Sequence, residues 1–376
     1  MRVYLDHHST TPCDERVVEA MKPFWTERFG NPSAVHEVGN DAREAVEQAR
    51  EQVAAVINAP TDAICFTSGA TEANNIVLQG LMAKCTSPRK IITTNVEHSS
   101  VLKTVDRINQ DGAHGVILLQ VDGQGLLSLT ALNDILASDD TIGIVSVMAA
   151  NNEIGTIYNI EKIGEICKRN NVFFHTDATQ AIGKVDIDVQ RMNIDALSMS
   201  AHKIYGPKGI GALYIKDKSR VKPIICGGFQ EEVTSGTSNV PAIVGFGEAC
   251  RLLIEESPAE REQIGRLRDR LLKSLTDNLD DIKINGTMEN RLPNNLNLTI
   301  KGVQAEALVL GMDDVIVSSG SACISQNPEP SHVIRALGVD NADCAIRIGI
   351  GKGNTEEEID YASARIIEVV NAVRSG

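Results

Sequence analysis

Aromatic side chains are scarce in this chain. Phenylalanine, tryptophan and tyrosine make up 3% of 376 residues, with a single tryptophan. Aliphatic side chains must therefore fill its core, and an apolar content of 42% supplies enough of them. Basic charge is outweighed: 36 Lys and Arg against 50 Asp and Glu leave a net charge of −14. So acidic a surface repels phosphate backbones and anionic lipid, which argues against direct nucleic-acid or membrane binding. No charged-then-apolar leader opens the chain, and no uninterrupted apolar run is long enough to span a bilayer. The expectation is a soluble, cytoplasmic protein. Cys-x-x-Cys pairs and zinc-like Cys/His clusters are missing too, so no metal site is expected. The cysteines (Cys13, Cys65, Cys85, Cys167, Cys226, Cys250, Cys323 and Cys344) read as free thiols of a reducing compartment. There is no internal repeat and no low-complexity segment.

What is present is an alternation. The runs "AICFTSG", "KIITTN", "TIGIVSVM", "NVFFHTD", "ALSMS" and "GALYI" are short and apolar, and helical patterns separate most of them. Strands apolar on both faces, alternating with helices, predict an α/β fold with a mainly parallel sheet covered by helices. The chain is too long for one ordinary core, so a large and a smaller domain are expected. Beyond residue 245 the texture turns α+β. A charged helical stretch is followed by "DIKING", "NLNLTI" and "VIVSSG", and then by an amphipathic helix opened at Asn354 or Thr355.

Ligands of open parallel sheets sit outside the carboxyl ends of the strands. The strands here are followed by Ser68-Gly69-Ala70-Thr71-Glu72, by Asn151-Asn152-Glu153, by Asp177 with Gln180, and by Ser200, His202 and Lys203. The first is a glycine-containing helix start able to offer unpaired N–H groups to an anion. Each has a plain structural alternative: a helix cap for Ser68–Thr71 and for Asp177, and a solvated loop lysine for Lys203. Together, an amine, a carboxylate and a phosphate seat match the needs of pyridoxal phosphate, which requires a Schiff-base lysine and an acidic partner for its ring nitrogen.

The motifs "YLDHHSTTP", "FGNPSAVHEVG", "TSGATEANN", "VEHSSV", "NNEIGT", "HTDATQAIGK", "SAHKIYGPKGIGALY", "SSGSACIS" and "IRIGIG" run in order from residue 4 to about residue 360. In them the chain resembles the NifS/IscS-like cysteine desulfurases, which are fold-type I, class V aminotransferase-like enzymes. The resemblance implies a pyridoxal 5'-phosphate-binding large domain over 15–245. The small domain would comprise 1–14 and 246–376 and carry the catalytic-cysteine loop.

It also implies roles. Lys203 holds the cofactor, Asp177 pairs with its pyridine nitrogen, and Gln180 binds its phenolic oxygen. His98 stacks on the ring and moves protons; its structural alternative is a cap on the next helix. Ala70, Thr71, Ser200 and His202 seat the phosphate, and Thr237 reaches it from the other subunit of a homodimer. Asn152 and Arg347 grip the substrate carboxylate; a core-edge salt bridge is the alternative for Arg347. Cys323, in a stretch of small residues and proline, takes the sulfur of L-cysteine as a persulfide and passes it to acceptor proteins of iron–sulfur cluster assembly or another thiolation pathway. An inert loop cysteine is its alternative.

A selenocysteine lyase and an inactive scaffold are the competing readings of the whole. The segment "GGFQEEVTSGT" departs from the family pattern, with Phe229 in place of a glycine and Thr234 where an arginine is expected. That departure weakens the implied contact to the phosphate across subunits. The pair His7-His8 reads as structural or pocket-lining rather than metal-binding.

Overall fold

The computed structural model describes residues 1–228, 231–319 and 331–375. Its strands are β1 (Val3–Tyr4), β2 (Ile64–Thr67), β3 (Lys90–Thr94), β4 (Gly115–Leu119), β5 (Ile142–Ser146), β6 (Phe173–Asp177), β7 (Ala196–Ser200), β8 (Gly211–Ile215), β9 (Ile282–Ile284), β10 (Asn295–Ile300), β11 (Val315–Ile316) and β12 (Ala345–Gly349). Seven of them form the main sheet in the order β2-β8-β7-β6-β5-β3-β4. Strands β3 to β7 pair in parallel, whereas β8 runs antiparallel to both β7 and β2. Every residue of β6, β7 and β8 is buried, as helices on both faces require.

The covering helices follow from their sequences. Ile160–Arg169 buries Ile160, Ile163, Ile166 and Cys167 along one stripe; its start is capped by the Asn159 side chain, and Lys168 and Arg169 close its last turn. Two apolar clusters straddle the sheet, one containing Phe66, Ile92, Val145 and Phe174, the other Cys65, Ile91, Ile144 and Phe173. Successive strand residues thus feed opposite faces.

A third cluster lies apart. It gathers Val3 and Leu5, Leu267, Leu271 and Leu275, alternate residues of the antiparallel β9-β10-β12 sheet, and the helix Glu356–Ser375. One helix, Val240–Asn278, serves both regions. Its residues 240–252 pack into the first large cluster and residues 264–275 into the third, with Pro258 between the two stretches. Strand β1 pairs with β11, and His7 N–H bonds to the Gly349 carbonyl at 3.1 Å. The N-terminal segment is thereby held beside the end of β12 and can run on across the main sheet. Among the described residues no helix is long and apolar enough to cross a membrane.

Candidate active site

A cleft of about 530 Å³ opens at the carboxyl ends of the parallel strands. It is lined from four directions: residues 8–10 of the N-terminal segment, the turn 68–71 after β2, the residues following β5, β6 and β7, and Arg347 on β12. Of the residues singled out in the sequence, Ala70, Thr71, His98, Asn152, Asp177, Gln180, Ser200, His202, Lys203 and Arg347 all line it. Thr237 does not; it is exposed, outside this cleft. Cys323 and Phe229 lie outside the described residues.

Lys203 ends the single 3-10 turn that follows β7, a turn placing its side chain at the sheet's edge. Its Nζ donates to the carbonyls of His8 and Ser9. Burial, reinforced by the Arg347 and Lys184 charges, pushes its pKa down to about 7. The amine is therefore readily neutral, as an attacking nitrogen must be.

Asp177, the last residue of β6, is buried. One carboxylate oxygen accepts from Asn74 Nδ2 at 2.8 Å, the other from the Thr179 N–H at 3.0 Å. Gln180 is locked against the N-terminal segment, its amide donating to the His8 carbonyl and its Oε1 bonded to His8 Nδ1, both at 3.0 Å. Asn295 Nδ2 meets His8 Nε2 on the far side, also at 3.0 Å. An amide nitrogen can only donate, so His8 accepts at Nε2 and carries its proton on Nδ1. Full burial holds its pKa well below the usual value and keeps the ring neutral. His7 instead packs edge-on against Tyr4, with centroids 4.9 Å apart.

The helix Ala70–Met82 begins without a side-chain cap, in contrast to the capped helices beside it. Its N-cap is Gly69 at φ +153°, a conformation that side chains rarely adopt. Gly211 of β8 lies behind it, where a Cβ would come within 2.7 Å of the Gly69 Cα. The free N–H groups of the first turn thus open on the cleft beside Ser200 and His202, a seat suited to an anion. Burial and the Lys203 and Lys208 charges push His202 down to about 4, so the neutral ring offers hydrogen bonding rather than charge. Thr234 sits at the rim of this seat, donating to Glu72 Oε1 at 2.8 Å, while Glu72 Oε2 accepts from the Ser68 N–H at 2.6 Å.

Arg347 is buried. It is tied by Nη2 to Asp6 at 3.0 Å and to Ser9 Oγ at 3.1 Å, and by Nη1 to the Asn152 carbonyl at 3.2 Å. Its buried Nε has no hydrogen-bond partner among the described residues. A buried guanidinium with a free N–H is suited to a carboxylate ligand. An amine, a carboxylate and an uncapped helix start in one cleft fit pyridoxal 5'-phosphate, and Arg347 in the same cleft suits a carboxylate-bearing substrate.

The model of the aminotransferase class-V family matches residues 3–362. The chain belongs to that family. It is similar to a mitochondrial cysteine desulfurase of Arabidopsis thaliana, 46% identical over 379 residues, spanning 99% of this chain and 83% of that one. It is similar also to the cysteine desulfurase IscS of Clostridium botulinum, 44% identical over 381 residues and covering 99% and 95% of the two chains. Among solved structures, a NifS-like protein superposes with a TM-score of 0.92 at 37% identity, over 99% of this chain and all of that one, at 100%. SspA in complex with cysteine superposes with a TM-score of 0.82 at 34% identity, over 94% and 100%. As a class-V member, the chain is a fold-type I enzyme dependent on pyridoxal phosphate.

The class-V cleft also contains residues that sequence reasoning did not assign. Ser9 and Thr10 line it from the N-terminal segment, Met148 and Ala150 from the end of β5, and Lys208 and Gly209 from the turn before β8. Only the pairing of Asp6, Ser9 and Lys203 with distant partners reveals the role of the N-terminal stretch, and no local pattern carries that signal. Two alternatives proved compatible with the site rather than opposed to it. His98 does cap the next helix, accepting from the Ser100 N–H at 3.2 Å, and it lines the cleft as well. Arg347 does form a salt bridge at the edge of the small core, and the residue still lines the cleft. Buried thiols elsewhere are unsuited to attack: burial pushes Cys65 and Cys167 each up to about 12.

Proposed function

We infer that the protein is a cysteine desulfurase that converts L-cysteine to L-alanine and takes the sulfur as a persulfide on Cys323. The observation carrying this reading is the convergence of Lys203, Asp177 and Arg347 on one cleft. The relatives named cysteine desulfurase, and a neighbour solved with cysteine, support it. Lys203 would hold pyridoxal phosphate, Asp177 its ring nitrogen, Gln180 its phenolic oxygen, His98 one face of its ring, and Ala70, Thr71, Ser200 and His202 its phosphate. When bound, the cofactor supplies an electron sink next to the substrate's α-carbon.

Arg347 and Asn152 orient the substrate through its carboxylate. Lys203, with its pKa near 7, takes the α-proton once its nitrogen is released. The Cys323 thiolate forms a bond to the substrate sulfur while the carbon–sulfur bond breaks; the bonding pair stays with the carbon fragment, which gains protons to leave as alanine. Sulfur then passes to acceptor proteins of iron–sulfur cluster assembly or of another thiolation pathway. We assign 15–245 to the cofactor-binding domain, and 1–14 with 246–376 to the small domain that carries Cys323. Thr237, exposed here, reaches the phosphate of the other subunit in a homodimer working in the cytoplasm.

The test is Cys323→Ala, loaded with cofactor and given L-cysteine. It should keep the yellow cofactor absorbance and lose both persulfide formation and catalysed alanine release. Sulfur release at the wild-type rate would overturn the assignment.

A further inference from the structure

Asn74 and Ser100 connect the wall that carries Asp177 to His98. Asn74 is fully buried on the helix Ala70–Met82 and Ser100 is buried at the start of the helix Ser99–Gln110. The Asn74 Nδ2 group donates to Asp177 at 2.8 Å and to Ser100 Oγ at 2.9 Å. Ser100 Oγ lies 2.8 Å from His98 Nδ1, and the Ser100 N–H donates to the same nitrogen at 3.2 Å.

The donors and acceptors permit one arrangement. A carboxylate oxygen accepts, so the amide turns its NH₂ toward Asp177, and the second N–H of that group goes to Ser100 Oγ. The Ser100 hydroxyl, with that lone pair engaged, has a single proton to give, and His98 Nδ1 is in reach. The amide N–H of Ser100 points at Nδ1 too, and two donors cannot face a protonated nitrogen. Nδ1 is therefore an acceptor, and the ring proton resides on Nε2.

We propose that Asn74 and Ser100 are positioning residues that hold His98 as its Nε2–H tautomer, making it a proton donor rather than a base in the resting enzyme. Within the proposed desulfurase reaction, on which this role rests, the division of labour follows. Lys203 removes the α-proton, and His98 can return one from Nε2. Burial, with the Lys203 charge adding to it, favours the neutral ring over the doubly protonated one, against the pull of Asp177. A neutral ring makes the tautomer the deciding property.

Histidine-selective ¹⁵N labelling of the full-length protein, with and without pyridoxal phosphate, reads the tautomer directly; the His98 signal is identified by its loss in His98→Gln. The wild-type protein should show the proton on Nε2. Ser100→Ala keeps only the amide donor and should give signals averaged between the two tautomers, with kcat lowered several-fold and KM for cysteine unchanged. Ser100→Thr keeps the hydroxyl and should restore both. A wild-type proton on Nδ1, or a Ser100→Ala protein with an unaltered His98 signal, overturns the proposal. Failure of the wild-type protein to release alanine would remove the desulfurase reading and leave the tautomer measurement as it stands.

Discussion

The two ends of the main sheet each carry a depression, and the larger one is not the active site. At the amino ends of β3, β5 and β6 lies a space of about 650 Å³ lined by residues such as Lys84, Arg89, Asp139, Asp140, Asn170 and Asn171. At the carboxyl ends lies the 530 Å³ cleft. Both are rich in polar groups. The difference is in what holds those groups. At the amino end the lining carboxylate Asp139 is held by the neighbouring Lys90, which donates to it at 2.7 Å, with side-chain exposures of 22% and 44%. Asp139 is pulled down to about 2 by that bond and by Thr141, a shift made by partners in solvent.

At the carboxyl end, His8, His98, His202 and Lys203 are all pushed down chiefly by burial, and the buried Arg347 Nε has no partner among the described residues. Displaced proton affinities from desolvation, together with an unspent donor, mark a site prepared for a ligand; paired surface charge does not.

Substitutions at the two ends should separate by orders of magnitude. Lys203→Ala is expected to lower alanine release from cysteine by more than about 1,000-fold, since one residue both holds the cofactor and moves the proton. A steady-state assay decides it, and residual turnover near wild type would dissolve the contrast between the ends.

Arg347→Ala should come next, with KM for cysteine raised and kcat/KM lowered by about 10- to 100-fold, the worth of one charged contact to a carboxylate. It also strips Asp6 of its partner, so a lower Tm should accompany the kinetic effect. An unchanged KM would mean that the substrate carboxylate is held elsewhere.

Glu97 gives a smaller effect with a definite sign. Burial, aided by the Asp177 charge, raises its pKa from 4.5 to about 8, against the lowering bonds from Met148 N–H and Thr94. A carboxyl raised in the folded state contributes stability that is full below about 4.5 and is lost as the pH climbs through about 8. Glu97→Gln mimics the protonated form. The decline in Tm between pH 5 and pH 8 should therefore flatten by a few degrees. A decline equal to that of wild type would assign the carboxyl an ordinary affinity. Smallest of all, Asp139→Asn at the amino end should leave activity unchanged and Tm within about 2 °C of wild type, as for other exposed pairs.

The sequence made one end of the sheet legible because parallel strands deliver their ligand residues immediately after an apolar run. Asp177, Ser200 and Lys203 could be found that way without knowing any contact. Strand β4 was not anticipated. Its run 116–119 is as apolar as those of its neighbours, yet it lies at the sheet's edge with Leu118 47% exposed, a position that sequence pattern does not report. The reversal of β8 was hidden as well, since side-chain pattern reports burial and not direction. The helix Val240–Asn278 begins earlier than the charged stretch suggested, because its first turns are apolar and packed in the large core. Ser9, Thr10 and Asp6 could not be assigned from the sequence. Asp6 and Ser9 serve the site through bonds to Arg347 and, for Ser9, Lys203, residues 338 and 194 positions away from Ser9, while Thr10 Oγ1 meets His202 Nδ1 at 3.2 Å; such separations leave no local trace.

The central claim concerns the ε-amine of Lys203 as the anchor of the cofactor. Borohydride reduction of the purified yellow protein, followed by peptide mapping, reads it directly. The account predicts a single pyridoxyl-modified peptide with the label on Lys203; label on another lysine, or on none, would contradict it.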